Sequence, residues 1–187
     1  MHLSMLFPVG LQCHWLNPEV ANLSQTVQSW LLDPDSLTAR LKSQCQQFNL
    51  EVLGQKVEPC RLEEACDGIA RGDDVLVREV LLYCDGKPHI FARSLLPLTS
   101  LTGEEEKLAN LGTQPLGHVI FNSPSLNRNY IEVGQFGCES SVGQLCQKLK
   151  INNVDSLWGR RSLFSIEGKP LTVAEVFLPD ALIYQGT

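Results

Sequence analysis

The chain has 187 residues, and its 15 Lys and Arg against 21 Asp and Glu give a formal charge of −6. No general basic field is therefore present to hold nucleic acid or an anionic membrane, and an anionic ligand must be met by a local arginine site. With 43% hydrophobic residues the chain can bury a substantial core, and its length favours a single domain over 1–187.

The opening stretch "MHLSMLFPVGLQCHWL" is mildly apolar but has no basic leading segment and no small-residue cleavage site, and no run reaches the ~18 apolar residues of a membrane span. The expectation is a cytoplasmic protein with reduced thiols and no stable membrane insertion. Leu23, Val27, Trp30 and Leu31 have helical spacing, and "DPDSLTARLKSQC" predicts a second helix with Asp33 as N-cap and Pro34 at its first position. "FNLEVLGQKV" reads as a strand, and 58–74 as a polar loop. "DVLVREVLLYC" and "HIFARSLLP" flank Asp85-Gly86, which predicts an antiparallel hairpin. In "TGEEEKLANLG", Thr102 and Glu105 have capping-box spacing and Gly112 suits a helix stop. "QPLGHVIFN" predicts a further short helix, completing a second helical hairpin, and "NRNYIEVGQF" a strand. The Ser/Asn/Gln-rich 137–156, with Val142, Leu145 and Leu149 on one helical face, reads as an excursion between strands. The fold class is α+β, with about six strands in an antiparallel sheet partly covered by short helices.

The stretches "REVLLYCDGKPHIFARSLLP" (78–97) and "RRSLFSIEGKPLTVAEVFLP" (160–179) overlay without a gap. Both begin with Arg, carry Gly-Lys-Pro at the ninth to eleventh places and end on Pro, so one hairpin is used twice. Arg93 of the first copy falls on Glu175 of the second. Alternation puts Glu175 on one face with Leu171, Val173 and Phe177, and Arg78 with Leu76, Val80 and Leu82. A charge alone on such a face is costly; it is paired, hydrogen-bonded or shifted in pKa. One reading is an internal ion pair, Arg78 with Glu175 or Arg93 with Glu175, that fixes strand register. The other is a lined cavity in which arginine binds a ligand carboxylate through its planar fork and Glu175 meets the polar opposite end. Of the neighbours Arg160 and Arg161, one at most points inward.

Other features carry bland readings. The two Gly-Lys-Pro copies lack the glycines of a P-loop. Cys84 reads as core packing, His89 and His118 as surface or supporting residues, and seven cysteines without a Cys-x-x-Cys pair argue against structural zinc.

Five separated motifs, "WLLDPDSLTARLK", "VLVREVLLYCDGKPHIFARSLLP", "LGTQPLGHVIF", "RNYIEVGQ" and "LWGRRSLFSIEGKPLTVAEVFLP", together resemble the chorismate pyruvate-lyase family. The likeness covers most of the chain from about Trp30 to Pro179. It implies a single six-stranded antiparallel sheet with two helix-turn-helix flaps over an internal ligand cavity. It further implies conversion of chorismate to 4-hydroxybenzoate and pyruvate for ubiquinone or plastoquinone synthesis, by a monomer with no metal or other cofactor. By the same resemblance Arg78 binds a carboxylate, Glu175 is the acidic residue, Leu116 contacts the ligand through its backbone, and Leu37 is a flap residue often Met in the family. Residues 1–28 diverge from the family and 137–156 stand as an insertion between strands. The alternative is a non-catalytic small-molecule-sensing domain of the same fold. Such a regulator would carry a DNA-binding domain ahead of it, for which 28 residues are too few.

Overall fold

A computed structural model describes residues 3–151 and 155–185. The helices are α1 (Gln25–Leu31), α2 (Leu37–Gln44), α3 (Leu116–Ile120) and α4 (Ser141–Lys148). The strands are β1 (Phe48–Pro59), β2 (Asp74–Cys84), β3 (Lys87–Pro97), β4 (Leu126–Gly137), β5 (Ser156–Ile166) and β6 (Lys169–Phe177). They form one sheet in the order β1-β2-β3-β6-β5-β4, with every neighbouring pair antiparallel. Read inward from either edge, the sheet gives the same triplet, β1-β2-β3 and β4-β5-β6, meeting at the β3–β6 pair. Each triplet is preceded by a helical hairpin: α1–α2 before the first, and the 3-10 helix Gly103–Asn110 with α3 before the second.

Both tight turns follow from sequence. Asp85 and Gly86 have φ of 51° and 80°, and Glu167 and Gly168 have 51° and 74°. Two consecutive positive φ values define the turn whose twist matches a β-hairpin, and glycine meets the second without strain. The two hairpins differ in register. In β5–β6 pairing runs without a slip from Ile166–Lys169 to Gly159–Val176. In β2–β3 the partner of Leu82 is Ile90 and that of Tyr83 is Pro88, so His89 is an extra, unmatched residue. One extra residue exchanges the faces of everything beyond it. Arg93, which overlays Glu175 in sequence, therefore points to the opposite side of the sheet. His89 itself is buried, not at the surface, and its Nδ1 has no hydrogen-bond partner among the described residues.

Both faces of the sheet are covered, which accounts for strands apolar on both sides. On the back, Leu81, Phe91, Ala174 and Val176 pack against Leu6 and Leu11 of the N-terminal segment and Val142, Leu145 and Cys146 of α4. The 137–156 excursion thus forms a helix; its residues 152–154 lie outside the described residues. On the front, α1 and α2 pack Trp30, Leu31, Leu37 and Leu41 over Val80, Leu82 and Ala92. The second helical hairpin packs Leu108, Leu116 and Ile120 over Leu76, Phe164 and Val173. A gap between these two front clusters is where the polar side chains of the strands gather.

Three local expectations need correction. Ser36, not Asp33, caps α2, its Oγ accepting from Ala39 N at 3.3 Å. Asp33 instead closes the interhelical turn, accepting from Asp35 N at 2.9 Å and from Arg40 Nη1 at 2.7 Å. Thr102 makes no side-chain cap bond; Glu105 is engaged instead by Lys169 Nζ, which reaches in from the β5–β6 hairpin and donates to both the Thr102 carbonyl (2.8 Å) and Glu105 Oε2 (2.6 Å). The 58–74 segment is largely loop, but β1 extends to Pro59 and the loop contributes a buried carboxylate, Glu64.

Candidate active site

The front face of β2 and β6 points Arg78 and Glu175 into one cavity, roofed by Leu37 and Leu116 from the first turns of α2 and α3. It is narrow, with a cavity volume of about 40 Å³, below the ~300–1,000 Å³ of ordinary small-molecule sites, so a ring-sized ligand needs the flaps to move apart. Leu50, Val80, Leu82 and Val173 make its walls apolar. The two flaps meet above it where Gly117 faces the hydroxyls of Ser36 and Thr38. All four residues that the sequence singled out, Arg78, Glu175, Leu116 and Leu37, line this one space.

Arg78 is 3% exposed and has no carboxylate partner among the described residues. Its register neighbour on β3 is Ser94. Its Nη2 donates to the carbonyls of Gly112 (2.8 Å) and Gln114 (3.3 Å), and its Nη1 to Gln55 Oε1 at 3.4 Å. Burial without a counter-charge lowers its pKa from the ordinary arginine value. A buried guanidinium facing a cavity with only neutral acceptors is a place for an anion.

Neither expected ion pair of Glu175 is present. Its partner is Arg160, directly opposite in register, with Nε donating to Glu175 Oε2 at 2.7 Å. Arg78 is satisfied by carbonyls, and Arg93 lies on the back face. There Arg93 Nε meets Glu64 Oε1 at 2.5 Å and its Nη1 meets Glu79 Oε1 at 2.8 Å. Arg161, next to Arg160, points to the back as alternation requires and binds Glu132 Oε2 at 2.6 Å.

Sequence reasoning missed Arg128 of β4. It lines the cavity, stacks its guanidinium 4.8 Å from the Phe164 ring centroid and 5.5 Å from that of Phe121, and donates from Nη1 to Asp33 O at 2.8 Å. Its buried Nε has no hydrogen-bond partner among the described residues. Burial first, and then the neighbouring Arg160 charge, brings its pKa down to about 10. The strand "RNYIEVGQ" was visible, but pairing slips between Arg128 and Tyr130, so alternation alone assigns Arg128 to no face.

The arginines also anchor the roof, each from the other half of the molecule. Arg78, in the first triplet, holds the turn of the second flap through Gly112 and Gln114. Arg160, in the second triplet, holds the first flap, its Nη1 donating to the carbonyls of Trp30 (3.5 Å), Leu31 (3.2 Å) and Asp33 (3.1 Å). These two arginines start the two copies of the repeated hairpin, so their duplication in sequence corresponds to a crossed pair of flap anchors.

The six-stranded antiparallel sheet with its covering helices is an α+β fold shared with solved structures of other proteins. The C-terminal domain of PhnF shares it, with a TM-score of 0.57 at 18% identity over 75% of this chain and 89% of that one. So does the C-terminal domain of the histidine utilization repressor from Pseudomonas syringae pv. tomato str. DC3000, with a TM-score of 0.55 at 16% identity over 72% and 92%. At these identities the likeness is one of fold alone.

Sequence is more specific. Residues 11–187 match the family model described as chorismate lyase. A probable chorismate pyruvate-lyase from Psychromonas ingrahamii is 44% identical over 161 residues, covering 86% of this chain and 87% of the relative. One from Pseudoalteromonas translucida is 43% identical over 180 residues, covering 95% and 98%. The chain belongs to the chorismate lyase family, and with it to the carbon–oxygen lyases.

Proposed function

We propose that the chain converts chorismate to 4-hydroxybenzoate and pyruvate within the cavity beneath the two flaps. The observation that carries this reading is a pair of functional groups facing one cavity across the intervening strand β3. Arg78 on β2 has no carboxylate partner among the described residues, and Glu175 on β6 supplies a carboxylate, with apolar walls between. A ring with a carboxylate at C1 and a hydroxyl at C4 matches that arrangement. Arg78 anchors the ring carboxylate, and Glu175 accepts a hydrogen bond from the C4 hydroxyl. Leu37 and Leu116 close over the ring, each offering backbone contacts from the start of a flap helix.

In the reaction the C4–H bond breaks, its electron pair becomes a ring double bond, and the C3–O bond opens to release the enol of pyruvate. The C4 proton is balanced by the one gained at the pyruvate methylene carbon. Formation of an aromatic ring supplies much of the driving force, so the protein's task is chiefly orientation and control of one proton. Glu175 is placed either to handle that proton or to hold the C4 hydroxyl while hydrogen passes within the substrate.

The single domain over 1–187, a monomeric state, a cytoplasmic location and service to a quinone pathway belong to the same proposal; no described helix is long and apolar enough to cross a membrane. Incubating purified protein with chorismate tests the reaction. The expected result is 4-hydroxybenzoate and pyruvate in equal amounts at a rate proportional to protein; chorismate left intact would contradict it.

A further inference from the structure

Resting on that reading, the geometry points to a second carboxylate subsite at Arg128, which takes the enolpyruvyl carboxylate of the substrate and is left without a ligand by the product. The first support is charge. Three guanidiniums, Arg78, Arg128 and Arg160, and one carboxylate, Glu175, line the cavity, an excess of two positive charges. Chorismate carries two carboxylates, so it neutralises the excess, whereas 4-hydroxybenzoate carries one and neutralises half.

The second support is position. The enolpyruvyl group is attached at C3, next to the C4 hydroxyl, so its carboxylate falls beside Glu175 and away from Arg78. Arg128 is at that end. Its Nη1 and the Nη1 of Arg160 donate to the same carbonyl, that of Asp33. Of the two guanidiniums there, Arg160 is already committed, with Nε on Glu175 and Nη1 on backbone carbonyls. Arg128 has its buried Nε unsatisfied. The Nε edge of a guanidinium is one of those that bind carboxylate in bidentate fashion. Stacking on Phe164 and Phe121 fixes the plane of that fork.

A mere flap latch, in which Arg128 only ties down Asp33 O, would treat substrate and product alike. The subsite does not. It predicts that Arg128→Gln lowers kcat/KM for chorismate by at least about 30-fold, the lower bound for losing a buried charge partner, while the Kd for 4-hydroxybenzoate stays within about threefold of wild type. Retained product binding also reports that the variant is folded. Arg128→Lys keeps the charge on a similar stem but not the fork. It is expected to fall between wild type and Arg128→Gln in kcat/KM, and it carries the comparison should the glutamine variant not fold. Equal losses for substrate and product, or kcat/KM within about threefold of wild type, would overturn the subsite. Wild-type protein that binds no 4-hydroxybenzoate and consumes no chorismate would overturn the lyase reading itself, an outcome distinguishable because it appears before any substitution.

Discussion

At the scale of single residues, the cavity's two ends make different demands. Among the described residues Arg78 meets neutral acceptors alone, so a bound carboxylate would supply the full counter-charge. Arg78→Ala is expected to weaken 4-hydroxybenzoate binding by roughly 2–5 kcal/mol, measured by titration calorimetry on variant protein of unchanged thermal stability; unchanged affinity would refute the anchoring role. Glu175 is already engaged by Arg160 through Oε2, an arrangement suited to accepting a hydroxyl hydrogen bond. Glu175→Gln preserves volume and an acceptor, so single-turnover rates should fall by less than the ~10²–10⁴-fold associated with loss of a general acid or base. Glu175→Ala should be worse, since it removes the contact and leaves Arg160 without its partner. A Gln variant slower by about 10² or more would instead assign proton transfer to Glu175.

At the scale of elements, the repeated hairpin was legible in sequence, down to its Gly turns and the two arginines that begin its copies. The fate of its other charges was not. The ungapped overlay of Arg93 on Glu175 assumed equal registers, and the extra residue His89 sends Arg93 to the back face. There it meets Glu64, hidden in a polar loop, and Glu79, whose oxygens also accept from Val9 N (2.7 Å) and Gly10 N (2.8 Å) of the N-terminal segment. Long-range pairing of this kind leaves no periodic trace in sequence, and the same holds for Arg128 next to its own bulge. Glu79 is wholly buried, so Glu79→Ala leaves part of the Arg93 charge and two backbone donors unmet. Urea denaturation should show a loss of about 3–5 kcal/mol; a loss under about 1 kcal/mol would show that the back-face network contributes little. The bulge residue gives a pH signature. Burial lowers the His89 pKa from its usual 6.5, so the unfolded chain takes up this proton at a higher pH than the folded one. His89 therefore contributes stability that is present above about 6.5 and lost as pH falls toward its lower folded value. His89→Gln should flatten the fall in denaturation midpoint below that pH relative to wild type, and parallel profiles would contradict the assignment.

At the scale of the whole molecule, each half of the sheet anchors the flap of the other, and the flaps close the cavity from both ends. Ligand entry and exit thus require guanidinium–carbonyl bonds at Gly112, Gln114, Leu31 and Asp33 to yield, which couples the binding groups to the gate. Release of 4-hydroxybenzoate is then expected to limit turnover. Stopped-flow mixing with excess chorismate should give a burst of about one product per enzyme before a slower steady rate; a linear progress curve from the first turnover would contradict a slow gate. The claim on which all of this depends is that the cavity between Arg78 and Glu175 is the binding site. A crystal structure with 4-hydroxybenzoate tests it most directly. The account predicts the ligand carboxylate at about 3 Å from Arg78 nitrogens, with the phenolic oxygen at hydrogen-bond distance from Glu175. Ligand seated instead in the open depression beside Lys107 and Lys169, or turned with its carboxylate away from Arg78, would contradict it.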